Sequence, residues 1–254
     1  MEHIGIIGVG EIARAIVEGL SGGVAEPPRI HLSPRGAATA AELARRYPNA
    51  EVRADNQDVA DRSDVLILAV RPQDAAEALA GLRVDGDRVV VSAIAGIGIG
   101  ELRRMLGTGA PVVRTIPMPA VRERRAVTVV HPSHPVTDAL FDRLGGALPV
   151  ADEAAFSVFS TLTGTLSSHY RYLAVLTEWA AAQGVPAEEA DRYVRGLFQG
   201  VGRALGDGTR SLQQLAGDHE TRGGSNERIR TTWFDAANSE ALTRALDGLL
   251  EHLR

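Results

Sequence analysis

Residues 3–20 read HIGIIGVGEIARAIVEGL, and the fold follows from this stretch. Ile4, Ile6 and Ile7 form a short apolar run suited to a strand buried inside a parallel sheet. Gly8 and Gly10 then let the backbone turn sharply, and Ile12, Ala13, Ile16, Val17 and Leu20 recur at helical spacing. Strand, glycine pair and helix in this order resemble a dinucleotide-binding turn. In that reading Gly8 permits the tight turn and Gly10 lets a pyrophosphate approach the main chain. The N–H groups opening the helix near Glu11 and Ile12 receive the phosphates. Ala13 takes the third glycine position, where a small residue allows close helix–strand packing. A βα turn whose glycines serve structure alone is the competing reading.

Downstream, Gly22 and Gly23 close the helix, Pro27 and Pro28 mark a loop, and Arg29 to Leu32 form a second strand. A ribose 2′-hydroxyl is commonly held by an acid about 20 residues past the glycines, but this strand runs out as His31-Leu32-Ser33-Pro34-Arg35. Ser33 can donate a hydrogen bond and Arg35 can grip a 2′-phosphate with its planar fork, which favours NADP(H) over NAD(H). The alternative is a helix-capping Ser33 and an exposed Arg35.

Strand and helix signals continue to alternate. Ala37 to Tyr47 reads as a helix, while 65–70, 89–92, 112–116 and 126–130 read as apolar strands, with a helix over 136–144. Pro72 suits a first helical turn, where its missing N–H matters little. The pattern predicts an α/β protein: an N-terminal Rossmann-like, doubly wound sheet over 1–150, with Arg71, Ala95 and Pro117 at the carboxyl edge that carries the ligand crevice. From 151 the strand signals stop, and helical periodicity over 172–183, 187–205 and 239–253 predicts an all-α C-terminal domain over 151–254. Gly196, Gly200 and Gly202 inside it suggest helices in close contact, including contact across a subunit boundary.

Composition narrows the chemistry. The 254 residues carry a formal charge of -5, so no basic excess points to nucleic acid. The dense basic spot Arg122, Arg124 and Arg125 reads as a solvated loop. No apolar run reaches the roughly 20 residues of a membrane span, and the start lacks a secretion signal, so a cytoplasmic protein is expected. Without Cys there is no thiolate nucleophile, Fe–S cluster or cysteine-bound zinc. All 27 basic residues are Arg. Lysine Schiff-base chemistry, the lysine-bearing phosphate loop and lysine general acids are thereby excluded, since Arg does not exchange protons near neutrality. His131 and His134 are spaced by prolines with no nearby carboxylate, and no metal site is expected.

With these pieces placed, the chain resembles the pyrroline-5-carboxylate reductase family over nearly its whole length. The resemblance is carried by Gly8-Val9-Gly10-Glu11-Ile12-Ala13, Ala69-Val70-Arg71-Pro72-Gln73, Ser92 to Gly96, Leu176 to Gly206 and the turn Thr221-Arg222-Gly223-Gly224-Ser225-Asn226. It implies a Rossmann domain, a helical C-terminal domain that intertwines with its twin in a homodimer or higher homo-oligomer, and hydride transfer from NAD(P)H to a cyclic imino acid. By carry-over Gly8, Gly10, Glu11 and Ile12 hold the pyrophosphate. Ser33 and Arg35 hold the adenosine side, Asn56 the ribose region, and Val70, Arg71, Pro72 and Ala95 the cofactor wall. Thr221, Gly223, Gly224 and Ser225 bind the substrate carboxylate, because successive N–H groups in a glycine turn form a concave anion site.

Departures from the family pattern fall on the chemistry. Its Pro-Asn-Thr-Pro loop is shortened to Pro117-Met118-Pro119, its Gly-Ser-Gly-Pro-Ala-Tyr segment becomes Gly164-Thr165-Leu166-Ser167-Ser168-His169, and Asn226 stands where a threonine bonds the imine nitrogen. Ser225, Asn226 and His169 are the catalytic candidates, His169 because an imidazole titrates near neutrality. The resemblance implies an NADPH-dependent, proline-biosynthesis type of imine reduction with a substrate open to alteration. The competing reading is a non-catalytic NADP(H)-binding paralogue that kept the fold and the dimer. Glu11, placed beside a pyrophosphate, must point away or be paired.

Overall fold

The computed structural model describes residues 2–253 and contains an eight-stranded sheet in the order β3-β2-β1-β4-β5-β6-β7-β8. The strands are β1 (His3–Ile7), β2 (Arg29–Leu32), β3 (Ala50–Val52), β4 (Val65–Leu68), β5 (Val89–Ser92), β6 (Val112–Ile116), β7 (Thr128–His131) and β8 (Ala147–Pro149). Pairing is parallel except between β6 and β7, where Thr115 faces Val130 in antiparallel register. The helices of this part are α1 (Glu11–Ser21), α2 (Ala37–Arg46), α3 (Asn56–Asp61), α4 (Ala75–Leu79), α5 (Ile99–Leu106), α6 (Pro135–Asp142) and α7 (Glu153–Thr163).

The two-residue period of the central strands builds two core layers. Ile4 and Ile6 of β1, Val65 and Ile67 of β4, and Val89 and Val91 of β5 pack with α1, α2 and α6 through Ile16, Leu20, Leu43 and Phe141. The alternate residues Ile7, Leu66, Leu68 and Val90 pack with α3, α4 and α5 through Val59, Leu79, Leu102 and Leu106. A strand apolar on both faces, such as Val65–Leu68, therefore belongs inside a sheet covered on both sides. Because the chain winds outward from β1 to β3 and then returns to β4, the carboxyl ends of β1 and β4 diverge into a crevice. The expected doubly wound domain is thus present, together with the short strands β3 and β8 that the periodicity did not announce.

Contacts divide the chain after Phe159, later than the expected residue 150. The first half of α7 stays with the sheet. The Glu153 carboxylate pairs with the guanidinium of Arg114 on β6 and accepts the Ile99 N–H at 3.2 Å, while Arg114 lies 4.2 Å over the Phe156 ring.

The second unit, 160–254, is helical: α8 (Thr165–Ala182), α9 (Ala187–Ala204), α10 (Leu212–Asp218), α11 (Ser225–Trp233) and α12 (Ala236–Leu253). Ala190 and Val194 of α9 are buried against its neighbours, whereas Tyr193, Leu197 and Val201 form a second, exposed apolar stripe at four-residue spacing. Gly196 and Gly202 meet nothing within 4 Å of where a Cβ would stand. Close packing within the chain is therefore not what these glycines serve, which corrects that part of the expectation. No helix among the described residues is long and apolar enough to cross a membrane.

Candidate functional site

The glycine loop is locked by three contacts between the ends of β1 and β2. Gly8 has φ +91°, and a Cβ there would stand 2.7 Å from the Ala69 carbonyl oxygen and 2.6 Å from a Val70 methyl. Both the backbone conformation and the crowding require glycine. The Gly8 N–H donates to the Ser33 hydroxyl at 2.9 Å, and the Val9 N–H to the Arg35 carbonyl at 3.4 Å. Gly36, with φ +85°, lets the second loop pass so near Val9 that a Cβ would fall 2.5 Å from its carbonyl oxygen.

This geometry changes the part assigned to Ser33. The residue is fully buried and its oxygen accepts the Gly8 N–H, so it shapes the glycine loop instead of reaching a ligand at the crevice. Gly10 is the opposite case: it is exposed, nothing lies within 4 Å of a notional Cβ, and it caps α1 without a side-chain partner. The N–H groups of Glu11 and Ile12 open α1 beside it, where a helix has no internal acceptors to offer. These residues fit the pyrophosphate of a dinucleotide: open space, unpartnered donors and a positive helix end converge there.

Beyond the end of β2 lies a cavity of about 410 Å³ whose lining includes Pro34, Arg35, Asn56, Glu77 and Ala78. The structure thus brings Arg35 and Asn56 together. Arg35 is held by Asp74 at 3.2 Å and Glu77 at 3.5 Å, and Arg71 shares Asp74 at 2.9 Å. No carboxylate arrives from β2 itself, yet two arrive from the segment after β4. Asn56 donates its amide to the Ala78 carbonyl at 2.9 Å. Val70 is buried under Gly8, whereas Arg71, Pro72 and Ala95 are exposed at the carboxyl ends of β4 and β5.

Glu11 is paired. Its carboxylate accepts from the Arg122 guanidinium, delivered by the 3₁₀ turn Pro119–Glu123. Arg124, at φ +55°, donates to the carbonyl of Gly19 at 2.8 Å and to that of Gly22, at the far end of α1. The Arg122–Arg124 segment is therefore a clasp on α1, not the solvated loop expected.

In the second unit the turn before α11 requires both of its glycines. Gly223 has φ +73°, and a Cβ on Gly224 would stand 2.4 Å from the Thr221 hydroxyl. The Gly224 N–H closes the turn on the Thr221 carbonyl at 2.8 Å, and Ser225 opens α11. The Gly223 N–H is already held by a carboxylate, that of Glu227 one turn into the helix. Asn226 donates its amide to the His219 carbonyl at 2.6 Å, which leaves its second N–H free to donate. His169 is exposed on α8 and touches Tyr170 and, edge-on at 6.1 Å, Phe198. Tyr172, three residues beyond His169, stacks on Trp233 of α11 at 5.1 Å. Among the described residues no hydrogen bond joins His169 to the glycine turn. Among them, too, no group of three His, Cys, Asp or Glu side chains is gathered as a metal site would require.

Comparison with known proteins follows the same lines. Residues 3–96 match the family described as "NADP oxidoreductase coenzyme F420-dependent". A pyrroline-5-carboxylate reductase of Corynebacterium melassecola is 30% identical over 79% of this chain and 78% of its own length. Pyrroline-5-carboxylate reductase 2 of Bacillus subtilis is 25% identical over 97% of this chain and 92% of its own. The crystal structure of the 1-pyrroline-5-carboxylate reductase of Streptococcus pyogenes has the same fold, with a TM-score of 0.79, 23% identity and 98% of each chain covered.

Proposed function

The chain belongs to the pyrroline-5-carboxylate reductase family, and from that premise we propose that it is an NADPH-dependent reductase of the C=N bond of pyrroline-5-carboxylate or a closely similar cyclic imino acid. The observation that carries the reading is the phosphate loop, in which Gly8 is forced and Gly10 is left open. The reaction adds a hydride to the imine carbon and a proton to the nitrogen, converting C=N to CH–NH. Bound NADPH supplies the hydride.

The chain's own residues bind and orient. Gly8, Gly10 and the N–H groups of Glu11 and Ile12 receive the pyrophosphate, Arg35 turns from its two carboxylates to a 2′-phosphate, and Asn56 borders the ribose. Val70, Arg71, Pro72 and Ala95 wall the crevice. In the second unit the N–H groups of Gly223 and Ser225, with the Thr221 hydroxyl, take the substrate carboxylate on the turn that the Gly224 N–H closes. The free amide hydrogen of Asn226 donates to the imine nitrogen and holds it in place. His169, exposed on α8, is the proposed proton donor.

The exposed stripe Tyr193, Leu197 and Val201 on α9, together with Trp179 at 65% exposure on α8, supports a homodimer or larger homo-oligomer built on these helices. The open sites at Gly196 and Gly202 let a partner helix approach closely. The reading also assigns the protein to the cytoplasm, where the reduced cofactor is at hand. A test is direct: purified protein is titrated with NADPH while Trp fluorescence is followed, then given pyrroline-5-carboxylate. Saturable binding followed by cofactor oxidation supports the reading, and absence of binding at millimolar cofactor contradicts it.

A further inference from the structure

An acid at the mouth of a phosphate site calls for an explanation. Glu11 is the first residue of α1, 61% exposed on its side chain, directly after the open Gly10. A carboxylate there suits the helix end when the site is empty. It opposes a pyrophosphate that comes to the same N–H groups.

The surrounding charges answer this. Glu11, Glu18 and Glu42 lie along one face of α1 and its neighbour α2, interleaved with Arg14, Arg46 and Arg122. Arg14 is committed to Glu42 through two hydrogen bonds of 2.8 and 2.6 Å and stands 3.9 Å from both Glu11 and Glu18. Arg46 takes Glu18 at 3.0 Å. Among the described residues Arg122 alone hydrogen-bonds Glu11, with its Nε 3.7 Å from Glu18 and donating to the Pro119 carbonyl at 3.3 Å. Three acids meet three arginines, and removing Arg122 leaves the patch one negative charge in excess at the end nearest Gly10. The placement of Arg122 is itself built in. Gly19 of α1 lets the clasp lie so close that a Cβ would stand 2.4 Å from the Val121 carbonyl oxygen, and Arg124 fastens the other end to α1.

We propose that Arg122 is a cofactor-positioning residue: by holding the Glu11 carboxylate in a neutral pair it permits the phosphates of a dinucleotide to dock at Gly10. The inference rests on the cofactor reading above and adds to it a residue that acts through Glu11, not by contact with substrate. A merely structural clasp would affect melting temperature and not the salt dependence of binding.

The test is NADPH binding by fluorescence titration at low and high salt, with melting temperatures of the cofactor-free proteins alongside. Arg122→Gln is expected to weaken binding about five- to twentyfold at low salt, the loss shrinking as salt screens the exposed charge. In the Arg122→Gln/Glu11→Gln protein the affinity is expected to return to within about threefold of wild type, because the offending charge is gone. Glu11→Gln alone, at an exposed position that does not endanger folding, is expected to bind NADPH more tightly than wild type. If wild type binds while Arg122→Gln is unimpaired, if the double variant is as weak as the single, or if Glu11→Gln binds no more tightly, the inference is overturned and the cofactor reading stands. If wild type itself does not bind NADPH, both fall.

Discussion

The hydroxyl of Ser33 accepts the N–H of Gly8 at 2.9 Å, with both residues buried. One hydrogen bond therefore ties the end of β2 to the turn that follows β1. Ser33→Ala leaves the Gly8 N–H without an acceptor, at about 1–3 kcal/mol. A lowered melting temperature and weaker NADPH binding are expected together. Unchanged stability would mean that the loop does not need this bond.

Gly8 and Gly10 separate folding from binding. Gly8→Ala places a Cβ against the Ala69 carbonyl at φ +91° and is expected to destabilise by more than about 2 kcal/mol. Gly10→Val adds its side chain in open space at φ −96°, so the melting temperature should hold while NADPH affinity falls at least about tenfold. Thermal melts and cofactor titrations of the two variants check the contrast.

Acid should weaken the protein before its carboxylates titrate. Burial, and then the neighbouring Arg53 guanidinium, push the His31 imidazole down to about 4. Its Nδ1 accepts from Arg53 Nε at 3.1 Å and its ring stacks on His3. Below about pH 6.5 the unfolded chain takes up a proton that folded His31 refuses, so stability present above that pH is lost progressively down to about pH 4. Melting temperature measured from pH 7 to 5 should fall, and His31→Gln should flatten that slope. An equal slope in the variant would mean that His31 does not set the acid sensitivity.

On the proposed function, Glu227 would compete with the substrate for the Gly223 turn. Its carboxylate sits on the Gly223 N–H, and a substrate carboxylate bound there would have to displace it. Glu227→Gln is expected to lower KM for pyrroline-5-carboxylate by about threefold or more, with little change for a cyclic imine lacking the acid group. Equal effects on both substrates would place the carboxylate elsewhere.

Much of the cofactor half is legible in the sequence because its causes are local. The unbroken apolar run of Val65 to Leu68, the glycines at 8 and 10, and Arg35 after β2 each speak within a few residues. Strands β3 and β8 are three residues each, too short for a period to register. The Arg122–Glu11 bond joins residues 111 apart, and nothing around either announces the other. Ser33 was ambiguous in principle, since a hydroxyl donates outward or accepts inward, and only the closeness of Gly8 decides. Glu227 did carry a signal. It stands three residues after the Gly224 cap, the spacing from which a helix-opening acid reaches back to the backbone. The catalytic candidates are the least legible, because Asn226 and His169 are each explained locally, by a carbonyl and by neighbouring rings.

The reduction itself is tested by following NADPH absorbance and amino-acid product together after pyrroline-5-carboxylate is added. Proline is expected in equal amount to NADPH oxidised, at a rate that saturates with both. NADPH that binds yet is not oxidised with pyrroline-5-carboxylate or any other cyclic imino acid would contradict it.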